Sequence, residues 1–139
     1  MGTSPEQTGP FEMKLEVVPV PVADLDRAKA FYEQQLGFHV DYDVTITSDR
    51  RIVQLTPPGS GCSIVFTIGF GAMSEMQVGS LKGLHLVVEE IEAVRAWFVE
   101  RGVEISEIQE DRGVKYASFS DPDGNAWVLQ YLPPHMRGG

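Results

Sequence analysis

Apolar residues follow one plan twice along this chain, first at strand spacing, then at helix spacing, then at strand spacing again. Residues 14–22 form a short run rich in Val, Leu and Pro, which predicts a strand. Leu25, Ala28, Phe31, Tyr32 and Leu36 then fall on one face of a helix. Runs with strand character follow at 38–46, 51–56 and 62–68. The plan restarts at 83–88, with Ile91, Val94, Trp97 and Phe98 as the helix face and runs at 103–109, 114–120 and 125–132. Asp24 and Glu90 stand at the helix starts, where the dipole favours negative charge. Gly37 and Gly102 suit the helix ends. Turn-forming stretches separate the later runs: SDRR at 48–51, PPGSG at 57–61, EDRG at 110–113 and DPDG at 121–124.

The two passages also match residue by residue. At an offset of 66, Val22 meets Val88, Asp24 meets Glu90, Leu25 meets Ile91, Lys29 meets Arg95, Ala30 meets Ala96, Phe31 meets Trp97 and Tyr32 meets Phe98. Gly37 meets Gly102 one residue out of register. Two copies of so long a unit are a duplicated half-domain, not a solenoid. The expected division is one domain over 13–132, built of repeats at 13–68 and 81–132 with a connecting loop at 69–80. Polar, Gly- and Pro-containing tails are expected at 1–12 and 133–139.

Composition narrows the function. The chain has 139 residues, 42% of them hydrophobic, which is enough for an ordinary core. It carries 20 acidic against 11 basic residues, a net charge of −9. That sign argues against nucleic acid and anionic membrane as partners and suits solubility or a cationic ligand. Cys62 is the only cysteine, so neither an intrachain disulfide nor a cysteine-based zinc site is expected. No apolar run is long enough for a membrane span, and the N-terminus lacks the basic and apolar segments of a secretory signal. A cytoplasmic location is expected.

The sequence VADLDRAKAFYEQQLGF early in the chain, SDPDGNAWVLQY late in it, and the paired βαβββ order resemble the vicinal oxygen chelate superfamily. That group includes glyoxalase I, extradiol dioxygenases, fosfomycin-resistance thiol transferases and bleomycin-resistance proteins. The resemblance spans residues 13–132. It implies an α+β fold in which two βαβββ modules form a curved eight-stranded sheet enclosing a cup, with helices on the outer face. It also implies a homodimer. Metal-dependent members place His, Gln or Glu at inward positions of the first and last strand of each half. Those positions fall here on Val17, Val65, Gly83 and Val128, none of which offers a donor atom. A one-residue shift would bring in Glu16 but would not complete a set. No metal and no cofactor are therefore expected.

Strand parity turns the same positions into candidate ligand contacts: Val17, Pro19, Gln54, Val65, Thr67, His85, Val128 and Gln130. His85 is the best catalytic candidate, as a general base or a ligand hydrogen bond, and reads equally as a core histidine. Thr67 and Gln130 suit either ligand orientation or a hydrated rim. Pro19 and Pro21 point to an edge strand, since proline removes a ladder donor. His39 and His135 are expected on the surface. DPDG lacks the spacing of a calcium loop and reads as a tight turn. Phe70, Met73 and Met76 either cover the cup or pack at a dimer contact. Cys62 has no neighbour that would activate it. Phe31, Tyr32, Trp97, Phe98, Trp127 and Leu129 are expected in the core.

The resulting expectation is non-catalytic binding of a small organic molecule in an apolar cup, with a cationic, drug-like molecule suited to the charge. The alternative is a lyase, isomerase or dioxygenase of the glyoxalase type, run by a non-standard metal site or by His85. A duplicated domain serving only as a dimerising module is a third reading.

Overall fold

The computed structural model describes residues 9–137, so part of each expected tail lies outside the described residues. The first half runs β1 (Val17–Pro19), α1 (Leu25–Ala30), β2 (His39–Thr47), β3 (Arg50–Thr56) and β4 (Ser63–Ile68). The second half runs β5 (Leu84–Val87), α2 (Ile91–Glu100), β6 (Gln109–Asp111), β7 (Val114–Ser120) and β8 (Ala126–Tyr131). The Asp24 side chain caps α1 by accepting from the Arg27 N–H. The helix then widens into a π-helical turn over Phe31–Gln35 and ends before Gly37, whose φ is +79°.

Each half makes its own four-stranded sheet, ordered β1-β4-β3-β2 and β5-β8-β7-β6. The eight strands of the βαβββ pair thus stand as two mixed sheets, and the sheets are not closed into one. In each, the first strand runs parallel to the last: Pro19 lies beside Val65, and His85 beside Val128. β1 pairs with β4 alone, so the proline of this edge strand withholds no ladder hydrogen bond from a second neighbour. β6 is shorter and later than the expected 103–109. Val103 turns into the core instead, and Arg95 takes the carbonyls of Ser106 (2.7 Å) and Ile105 (3.3 Å) as acceptors, leaving only an isolated bridge from Ile105 to Phe119.

One core lies between the helix-bearing faces of both sheets. Leu25, Ala28, Phe31, Tyr32, Ile91 and Phe98 from the helical segments meet Val53, Leu55, Ile64 and Phe66 of the first sheet and Phe119, Trp127 and Leu129 of the second. The Tyr32 ring is the hinge of this packing, 5.4 Å from Phe66 and 5.7 Å from Trp127. Trp97 corrects the expectation: it is 37% exposed. The Arg101 guanidinium lies 3.5 Å over its ring, and the ring edge covers Gly37, where a Cβ would stand only 2.8 Å from it.

The DPDG turn also fastens the halves together. Asp121 accepts from the backbone N–H groups of Asp123 and Asn125, each at 2.9 Å, which makes the turn. Asn125 donates to the Pro21 carbonyl at 2.9 Å and accepts from the Leu81 N–H at 3.1 Å. Arg27 of α1 reaches Asp123 at 2.6 Å.

Candidate functional site

The register sorts every strand residue to one of two faces. In the first sheet, Val17 is beside Ser63, Pro19 beside Val65, Val65 beside Gln54 and Thr67 beside Ile52. Paired residues project to the same side, so Val17, Pro19, Gln54, Val65 and Thr67 share the face turned away from the core. In the second sheet, His85 and Ser118 flank Val128, while Val87 and Tyr116 flank Gln130. His85, Val128 and Gln130 therefore share the outward face of that sheet. Within one chain these two sets lie on separate sheets whose opposite faces meet in the common core.

Strand β2 adds residues that sequence parity missed. Val40 pairs with Leu55 on the core side, but the ladder slips between Val40 and Tyr42, so Tyr42 pairs with Gln54 and Val44 with Ile52. The bulge at Asp41 moves Tyr42 and Val44 to the outward face. Tyr42 is 40% and Val44 44% exposed there. A regular alternation through Val40, Tyr42, Val44 and Ile46 gives no sign of the switch. Tyr116 and Ser118 were likewise legible only from the pairing.

The outward face of the first sheet is apolar with a polar end. Tyr42 donates to Gln54 Oε1 at 2.9 Å, and Gln54 Nε2 donates to Asp41 at 3.0 Å. The Thr56 hydroxyl also donates to Asp41, and Thr56 and Ser63 hydroxyls are 2.6 Å apart. The Thr56 bond is the main cause holding the Asp41 carboxyl below its ordinary range. At the other end, Thr67 bonds Ser74 of the connecting loop at 2.7 Å, and Ser74 accepts from the Phe70 N–H at 2.8 Å. The loop is thereby tied to the end of this face.

On the second sheet, His85 is exposed, and its Nδ1 lies 2.6 Å from the Gly83 carbonyl. A carbonyl only accepts, so Nδ1 is the donor there, and the neutral ring leaves Nε2 as an acceptor. His85 also reaches a separate open cleft of about 760 Å³ between Leu36–Phe38, Pro57–Ser60, β5 and α2. The other seven expected contacts do not line that cleft. His39 and His135 are exposed, and Cys62 is half-buried.

The donor chemistry does not fit the metal site that the resemblance implies. Val17, Val65 and Val128 carry hydrocarbon side chains and Gly83 none. Among the described residues no three His, Cys, Asp or Glu side chains gather as an ion would need. No helix among them is long and apolar enough to cross a membrane.

Comparison with known proteins agrees with this architecture. Residues 14–129 match the model of the Glyoxalase/Bleomycin resistance protein/Dioxygenase superfamily. The crystal structure of TnmS3, an antibiotic binding protein from Streptomyces sp. CB03234, is similar at 33% identity and a TM-score of 0.75, over 88% of this chain and 98% of that one. A glyoxalase/bleomycin resistance protein from the same Streptomyces is similar at 34% identity and a TM-score of 0.70, over 84% and 98%. A superfamily member from Sphaerobacter thermophilus DSM 20745 is similar at 25% identity and a TM-score of 0.72, over 87% and 98%. No curated protein matches the chain.

Proposed function

The chain belongs to the glyoxalase/bleomycin resistance protein/dioxygenase superfamily, and on that premise we propose that it is a cytoplasmic, non-catalytic binding protein for a small organic molecule. The ligand lies between the outward face of the first sheet in one copy and that of the second sheet in another. The observation that carries this reading is the lining of the two faces. Each mixes apolar and polar groups: Val17, Pro19, Val44 and Val65 with Gln54 and Thr67 on one, Val87 and Val128 with His85, Tyr116, Ser118 and Gln130 on the other. That mixture is what small-molecule sites need. Because the two sets stand on opposite sides of one core, a second copy completes the cup. Phe11, Met13 and Leu15, each more than two-thirds exposed, add apolar surface for a partner copy to cover. An antibiotic-binding relative at 33% identity supports a drug-like ligand.

The test is titration of the purified protein with bleomycin and with the planar probe 1-pyrenemethanol, beside a mass measurement in solution. A dimer that binds either compound at micromolar concentration supports the reading. A monomer, or no binding of either compound up to millimolar concentration, overturns it.

A metal-free acid–base enzyme is the second reading, favoured by the proton placement on His85, which leaves Nε2 free to act as a base. Turnover of a glyoxalase-type substrate that disappears in His85→Ala would replace the binding reading with this one.

A further inference from the structure

Asp41 and Asp43 stand two residues apart on β2 and meet opposite fates. Asp43 faces the helix side, where Arg51 at 2.7 Å and Lys29 at 3.0 Å neutralise it. Asp41 sits at the bulge and bonds Gln54 and Thr56, both on the outward face. Among the described residues no lysine or arginine reaches it. Its one ionisable neighbour among the described residues is His39, whose Nε2 lies 3.8 Å from Oδ1 on an imidazole that is 77% exposed.

The hydrogen bonds around Asp41 all run toward it. Tyr42 donates to the Gln54 carbonyl oxygen, which turns the Gln54 amide N–H toward Asp41. Thr56 has one hydroxyl proton and gives it to Asp41, so the Ser63 hydroxyl is the donor in the Thr56–Ser63 contact. Both acceptor bonds fall on Oδ2. That oxygen fixes the carboxylate in place and in its charged form, while Oδ1 receives no hydrogen bond from the described residues. The one cationic side chain of the same parity, Arg50, lies at the far end of β3, six residues or about 20 Å away. It is engaged with the Gly69 carbonyl at 3.3 Å and the Phe70 ring at 4.6 Å.

We propose that Asp41 recognises a positively charged nitrogen on the ligand, an ammonium or guanidinium group, through its open Oδ1, with Gln54 and Thr56 as positioning residues. This rests on the binding reading above and assigns the polar end of that same face. A preorganised carboxylate at the end of an apolar surface selects an amphiphilic cation: the apolar body lies along Val44 and Ile52 while the charge reaches Asp41.

The experiment compares two probes that differ only at the charge, 1-pyrenemethylamine (cationic at neutral pH) and 1-pyrenemethanol (neutral), by fluorescence titration of the full chain. The expected result is binding of the amine about tenfold or more tighter than the alcohol. Asp41→Asn and Asp41→Ala are each expected to erase that preference, and urea unfolding midpoints close to that of the unmodified chain show that the variants are folded. Equal binding of both probes by the unmodified chain, or an amine preference that survives both substitutions, overturns the assignment and leaves the binding reading standing. Failure of both pyrene probes to bind overturns the assignment, and failure of bleomycin as well overturns the binding reading with it.

Discussion

The Tyr32 hydroxyl donates a 2.7 Å hydrogen bond to Asp121, joining the first helical segment to the DPDG turn across 89 residues of sequence. The same hydroxyl accepts from Trp127 Nε1 at 2.8 Å. All three side chains are buried. Burial, with the Asp121 carboxylate alongside, pushes the Tyr32 phenol well above its ordinary range. Removing the hydroxyl strands an indole N–H and weakens the hold on a buried carboxylate. Tyr32→Phe is expected to cost about 1–3 kcal/mol of stability, measured by urea unfolding. A loss below about 0.5 kcal/mol would show that the latch contributes little to the union of the halves.

The Asp43 carboxyl supplies an acid-sensitive contribution. The Arg51 hydrogen bond, aided by Lys29, lowers it to about 2 from an ordinary 3.8. A carboxyl depressed on folding stabilises fully above its unfolded value and loses that contribution as pH falls through its folded value. The stability advantage of the unmodified chain over Asp43→Asn should therefore hold from neutral pH down to about 4 and shrink between about 4 and 2. Urea midpoints at pH 7, 4 and 2.5 for both proteins check this. A constant difference would place the linkage elsewhere.

Gly59 and Gly79 separate two costs of adding a methyl group. Both have positive φ, +79° and +73°. Nothing lies within 4 Å of a Cβ at Gly59, so Gly59→Ala should cost only the left-handed backbone penalty, about 1–2 kcal/mol. At Gly79 the new methyl would run into the Asp123 carbonyl beside the latch. Gly79→Ala should be the worse by at least about 1 kcal/mol in thermal or urea unfolding. Equal losses would mean that the loop end yields freely.

A cup shared between copies makes a complementation prediction. Val44→Lys spoils the outward face of the first sheet and Val87→Lys that of the second, at positions 44% and 54% exposed. Such exposed sites change chain stability by about 0.5 kcal/mol or less. Each variant alone should lose 1-pyrenemethanol binding. Mixed dimers should regain one site of two, because the intact first sheet of one copy then meets the intact second sheet of the other. No recovery on mixing would place the whole site within a single chain.

The sequence by itself determined the duplicated βαβββ order, since strand and helix periodicity are local properties that each half expresses independently. It also determined the absence of donors at Val17, Val65, Gly83 and Val128, which is a matter of residue type. Tertiary structure alone decided what local pattern does not encode. The slip at Asp41 depends on how β2 pairs with β3, so Tyr42 and Val44 changed faces without any break in their alternation. Trp97 left the core because Gly37, brought close by the fold, accepts the ring edge. DPDG, a turn in any local reading, became the fastening of the two halves because Tyr32 and Pro21 arrive beside it from the other repeat. The separation of the two outward-facing sets follows from the same cause. Each sheet buries its helix-bearing face, and a single core joins those faces, so the opposite faces turn outward.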